Sequence, residues 1–252
     1  MTADITFTRG YQPAHLPMPA DRGALGYLPM AAFQYCESVR VASGMGWYLF
    51  PPKTMSLMFD GRETFIADEG QWRTFSAEPF EPEFHQHWNQ HAPEKFRGHA
   101  PNHLRRLSDP GIVQIWTGHF VETAPDLWLH IRPIVNKNDV SAFSCFEAIV
   151  ETDSFRPMPL FMNIKIHRTG SEILIEKDMP LFQVAAIEKS SVRRQSSVIQ
   201  SLEDVADPAA SDRAEPFWSG LNDTLRISGV TPQRKSMGAY AANARKREKS
   251  GP

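Results

Sequence analysis

Apolar residues along this chain fall into short blocks, and many alternate with polar residues at a period of two. Ile5–Thr8 alternates in this way, as a half-buried strand does. GWYLFPP (46–52) reads as a strand stopped by two prolines. TMSLMFDGRETFIA (54–67) predicts a hairpin, because its Asp60-Gly61 pair tolerates the left-handed backbone of a tight turn. GIVQIWTGHFVET (111–123) and DLWLHIRPIV (126–135) predict strands around the turn Ala124-Pro125-Asp126. In the second, Leu127, Leu129 and Ile131 fall on one face, with Trp128, His130 and Arg132 on the other. That polar-aromatic face suits solvent or a ligand groove.

Residues 142–187 hold four apolar segments in succession, each too short for a typical helix. They predict consecutive strands, with Thr169-Gly170-Ser171 as the turn of a second hairpin between 160–167 and 172–175. A short helix is expected around 30–42, stopped at Ser43-Gly44 and carrying Phe33, Cys36 and Val39 or Arg40 on one side. The proline-rich stretch 76–110 leaves room for a helical turn near 83–91. Beyond 188 the composition becomes helix-compatible in two pieces, broken at Asp207-Pro208, with Trp218 and Leu221 spaced to dock. The expectation is a mainly β protein: an antiparallel β-sandwich or barrel-like domain over 1–188, a short helical extension over 189–230, and a flexible basic tail over 231–252.

Composition narrows the class. The 252 residues carry a net charge of −2, which argues against nucleic acid as a partner. Cys36 and Cys145 are the only cysteines and form no CxxC pair, which argues against a cysteine-based zinc site; two reduced, buried thiols are expected rather than a disulfide. The N-terminus has no apolar signal core and no run is long enough to span a bilayer, which predicts a cytoplasmic protein with no membrane partner. A small molecule and a second copy of the chain remain as candidate partners.

Three groups of residues carry candidate chemistry. Five of the nine histidines lie between His85 and His103. Imidazole ligates divalent transition metals, so His85, His87 and His91 are candidate ligands of such a cofactor. On a strand His85 and His87 share a face; on a helix His87 and His91 do. A cupin-like site would add Glu94 and a distant His119 or His130, whereas the plainer reading is a solvated surface loop. The second group is Glu147, Glu151 and Asp153, which on an extended strand share a face with Phe143 and Cys145. With Lys165 or Arg132 as partner, Glu151 and Asp153 are candidates for acid–base catalysis; the alternative is a solvent-facing side ion-paired to Lys165 and Arg168. The third is Asn163, an amide in an apolar strand that either braces a loop or, with Arg132, Trp128 and His130, binds a ligand. No GxGxxG, GxxxxGK[ST] or GxSxG pattern is present.

GWYLFPP with its following Asp-Gly, and then EAIVETDSF, PLFMNIKI and ILIEKDMPLFQV, resemble segments of a bacterial family of about this length whose activity is uncharacterised. The resemblance covers most of 40–190 and implies a shared fold. Met162-Asn163-Ile164 and Asp178-Met179-Pro180 depart from the family's patterns. The succession of an acidic strand, a partner strand and a charged turn before a last apolar strand also resembles the end of the dUTPase-like β-clip arrangement. Asp153-Ser154-Phe155-Arg156 lacks the glycine and tyrosine of that family's catalytic motif, and no serine-bearing phosphate motif matches. The resulting expectation is a small-molecule-binding β protein, an enzyme of specialised metabolism with a metal-assisted or carboxylate acid/base site. The alternative is a non-catalytic accessory or protein-interaction module.

Overall fold

Alternating burial runs along the longer strands of the computed structural model, which describes residues 3–137, 142–192, 197, 199, 201–202 and 216–218. In chain order the first strands are β1 (Ile5–Arg9), β2 (Met18–Pro19), β3 (Trp47–Leu49), β4 (Met55–Phe59), β5 (Thr64–Asp68), β6 (Gln71–Thr74), β7 (Ala77–Glu78) and β8 (Leu104–Arg106). They are followed by β9 (Ile112–Thr123), β10 (Leu127–Arg132), β11 (Phe143–Cys145), β12 (Ala148–Val150), β13 (Met158–Ile166), β14 (Glu172–Ile175) and β15 (Phe182–Glu188). The helices are short: α1 (Met30–Tyr35), α2 (Glu37–Ser43), α3 (Pro82–His91) and α4 (Lys189–Val192). None among the described residues is long and apolar enough to cross a membrane.

The protein is mainly β, and its strands pair antiparallel in three sheets. One runs β11-β13-β9-β8-β7, with β1 also on β9. A second runs β12-β10-β15-β3-β2, and a third β14-β4-β5-β6. Their inner faces share one core, to which Val113 and Leu160, Leu129 and Phe182, and Leu57 and Ile173 contribute from the three sheets in turn. Each such burial contributes roughly 1.5–3 kcal/mol, which makes this sandwich-like layering the main source of stability.

Several expected elements are present. The β4–β5 hairpin closes through the Asp60 carboxylate, which accepts the backbone N–H groups of Arg62 and Glu63 at 2.7 Å. α3 occupies the predicted helical turn. In β10, Leu129 and Ile131 are buried, with Trp128, His130 and Arg132 on the other face.

Other expectations need correction. The 160–167 and 172–175 segments do not form a hairpin: β14 pairs with β4, while β13 pairs with β9 and β11. Gly170 donates instead to the Phe59 carbonyl at 2.7 Å, tying the turn to the third sheet. The strand expected through Glu147, Glu151 and Asp153 breaks at 146–147, where the chain leaves the first sheet as β11 and enters the second as β12. The helix expected over 30–42 is interrupted at Cys36 (φ −106°, ψ 82°). Cys36 is exposed and Cys145 half-buried, so neither is the buried thiol expected. The chain divides into two units, residues 1–27 with 43–192, and residues 28–42 with 193–252. The tail expected over 231–252 and most of the extension over 189–230 lie outside the described residues.

Candidate functional site

Gly118 interrupts β9 with a left-handed backbone (φ +84°). Its carbonyl accepts the N–H groups of Gly10 and Tyr11 at 2.8 and 2.9 Å, so the chain leaving β1 docks tightly on β9. A Cβ at this position would lie 2.9 Å from the Tyr11 Cβ and 3.0 Å from that of Ala14, a gap that only glycine tolerates. Tyr11 is thereby pressed into a second apolar cluster with Phe80, Phe84 and Trp116. Its ring lies 4.2 Å from Phe80 and edge-on to Phe84 at 5.5 Å.

Burial leaves the Tyr11 hydroxyl one polar outlet. It donates to Glu81 Oε2 at 2.9 Å, and Lys53 Nζ donates to Glu81 Oε1, also at 2.9 Å. Glu81 precedes Pro82, the first residue of α3, where a proline costs no hydrogen bond and a negative side chain is favoured by the helix dipole. Burial alone would raise the Glu81 carboxyl. Hydrogen bonds from its own N–H, Lys53 and Tyr11 outweigh that and hold it below the usual carboxylate value. Tyr11 is pushed up to about 12, by burial first and then by the hydrogen bond and charge of Glu81.

These groups open onto a cleft of about 390 Å³, walled by Tyr11, Gln12, Pro13, Glu81, Glu83, Phe84 and His87. Glu83 and His87 share a wall because residues four apart lie on one helix face. Behind the cleft His103 is buried, and burial pushes it down to about 4, with the Lys53 charge adding to the effect. Its Nδ1 donates to the Pro79 carbonyl at 2.9 Å, while Nε2 has no partner among the described residues. His119 is likewise buried and pushed down to about 4, by burial and by the nearby Arg9 charge. The cleft thus offers two carboxylates and an imidazole beside aromatic rings. Such a surface accepts hydrogen bonds and attracts a cation.

Of the predicted histidines, His87 lines this cleft. The His91 ring lies against that of His87, tilted by 42° with ring centres 4.3 Å apart, and donates from Nδ1 to the His87 carbonyl. His85 points elsewhere, since residues two apart in a helix project to nearly opposite sides. Among the described residues no three His, Cys, Asp or Glu side chains converge to hold a metal ion, so His85, His87 and His91 do not form the expected ligand set, nor do Glu94, His119 and His130 complete one.

The β10 face does gather three predicted residues. His130 hydrogen-bonds Glu147, the Lys189 ammonium sits 5.4 Å over the Trp128 ring, and Arg132 donates to the Met45 carbonyl at 3.4 Å. Burial lowers the Arg132 guanidinium from its ordinary value. Glu151 and Asp153 lie beyond β12 in a turn, where the Glu151 carbonyl accepts the Phe155 N–H at 2.8 Å and Asp153 accepts from the Ser154 hydroxyl at 3.2 Å. Asn163 and Lys165 sit on the same side of β13. Asn163 accepts from Gln114 at 3.1 Å, and Lys165 donates to the Pro110 carbonyl. Glu151, Asp153 and Lys165 are therefore each engaged or exposed separately and do not meet. Tyr11, Lys53 and Glu81 escaped the sequence reading. Only Glu81-Pro82, ahead of a helical spacing, carried a local signal.

No protein-family model and no curated protein matches the sequence. Among solved structures, the chain is similar to the dUTPase of Staphylococcus bacteriophage 80alpha, with 11% identity over 84% of this chain and 100% of that one, at a TM-score of 0.40. A second structure of the 80alpha enzyme matches with 9% identity over 79% and 97% of the two chains, at 0.38. The dUTPase of phage phi11 of S. aureus matches with 10% identity over 78% and 95%, at 0.38. At such scores and identities the likeness transfers neither a fold assignment nor an activity to this chain.

Proposed function

We propose that the protein binds a small organic cation, an amine or amidine, in the cleft between Tyr11, Glu81, Glu83 and His87. The observation that carries this reading is Glu81, kept ionised between Lys53 and the Tyr11 hydroxyl and set beside Glu83. Lys53 offsets one of the two carboxylates, which leaves the cleft with an excess negative charge. The Tyr11 and Phe84 rings supply the apolar and cation–π contacts that a cationic head group uses. Glu83 and His87 stand where they can exchange a proton with the ligand, which is how the same site would serve an acid–base enzyme.

Calorimetric titration of the full-length protein with agmatine and spermidine tests the proposal. Saturable binding is expected, weakened about tenfold by Glu81→Gln and by Glu83→Gln, which corresponds to about 1.4 kcal/mol each. Absence of heat for both compounds at about 10 mM, or unaltered affinity in both variants, rejects it.

A second reading, a protein-interaction module, draws on a different feature. Ile149 (44% exposed) on the edge strand β12 and Phe155 (68% exposed) flank a shallow hollow that includes Glu151. Exposed apolar residues beside an open strand edge suit a partner chain. Sedimentation across a concentration series, with Phe155→Ser as control, separates this reading from a purely monomeric ligand-binding role.

A further inference from the structure

The segment that follows Tyr11 also walls a second hollow, which shares no lining residue with the Glu81 cleft. Its volume is about 560 Å³, within the range of small-molecule sites. Met18, Leu25, Tyr27, Phe50 and Met179 supply an apolar lining. At its mouth stands one polar pair: His15 Nε2 lies 2.7 Å from Asp178 Oδ1, although the two residues are 163 positions apart. The His15 ring leans on Phe50 with centres 5.2 Å apart.

One wall is held in a strained form. Ala24, Leu25 and Gly26 all have left-handed backbone, with φ of 50°, 57° and 85°, and two of the three are not glycine. Asp21 imposes this turn: its carboxylate accepts the N–H of Gly23 at 2.7 Å and of Leu25 at 2.9 Å. It also accepts from the hydroxyl of Tyr48 at 3.2 Å, whose residue is fully buried. Strain of this kind persists only where the surroundings over-determine it, and here the strained residues present Leu25 and Gly26 to the hollow.

Thioethers, aromatic rings and a leucine favour a flat apolar ligand. The His–Asp pair favours one that carries a hydroxyl, since Asp178 has a second oxygen with no partner among the described residues. We infer that this hollow binds an aromatic alcohol, its ring between Met18, Leu25, Tyr27 and Phe50 and its hydroxyl on the His15–Asp178 pair. The pair acts here as a recognition element, and no covalent step is involved.

Fluorescence titration of the full-length protein with 2-naphthol, and competition with naphthalene, tests the inference. The naphthol is expected to bind about tenfold more tightly than its hydroxyl-free analogue. His15→Phe and Asp178→Ala, both at exposed positions, should reduce that preference to about twofold or less without lowering the melting temperature. Met179→Trp, which fills the hollow, should abolish binding of both compounds, and Glu81→Gln should alter neither. The inference is overturned by absence of saturable naphthol binding, by a preference that survives both pair variants, or by binding that survives Met179→Trp.

Discussion

Glu81 and Glu151 are both acids at the end of a regular element, yet their surroundings differ in kind. Glu81 begins a helix, and each of its carboxylate oxygens is taken by a separate donor, one of them on a buried ring. Glu151 follows an edge strand and is exposed; its backbone carbonyl, not its side chain, holds the local turn. The spacing of Glu147, Glu151 and Asp153 marks them in the sequence, whereas the one local mark on Glu81 is the proline that follows it. What distinguishes a site is the backing of a charge by hydrogen-bonding partners that fix its position and protonation.

The sharpest way to break this contrast is to unseat Tyr11. Gly118→Ala forces a Cβ to 2.9 Å from Tyr11 and demands a left-handed alanine, so a loss of roughly 3 kcal/mol is expected in urea unfolding. Weakened agmatine binding should accompany it.

The two buried histidines behind and beside Tyr11 predict the next largest effect. Their folded-state values, about 4, lie below the ordinary 6.5. As pH falls, the unfolded chain therefore takes up these protons first. The stability associated with the neutral rings is present above about pH 6.5 and is lost as pH falls through about 4. A shift of this size corresponds to at most about 3 kcal/mol per histidine. His119→Leu should remove its share, which is read as a smaller change in unfolding free energy between pH 7 and pH 4. An unchanged pH profile would mean that the ring is hydrated or paired in solution.

Glu81→Gln should cost about 1 kcal/mol, because its partners stay close to solvent while losing a charged acceptor. Spectrophotometric titration should then find Tyr11 titrating below its present value of about 12 but still above 10, since burial is the larger cause. At the other end of the scale, Glu151→Gln and Asp153→Asn are expected to alter stability by less than about 0.5 kcal/mol and to leave agmatine binding intact. A larger effect on binding would return the acid–base role to that turn.

These contrasts bear on what a sequence can disclose. The hairpin at Asp60-Gly61, the two faces of β10 and the helix at 82–91 are local matters, set by turn chemistry and by the period of apolar residues. His87 was visible for the same reason. Lys53 and Tyr11 were not: they are 28 and 70 residues from Glu81, and neither sits in a pattern that marks it.

The sequence by itself determined that this is a β-rich chain, which segments extend, and which side of most strands turns inward. Tertiary structure alone decided the pairing. β11, β12, β13, β14 and β15 follow one another closely yet alternate among three sheets. The reason is physical: a period of two states which side chains leave water, but every apolar strand face offers the next strand much the same welcome. The choice among partners, and with it the meeting of Tyr11, Lys53 and Glu81, is made by close packing at places such as Gly118, where one missing methyl group lets two segments touch.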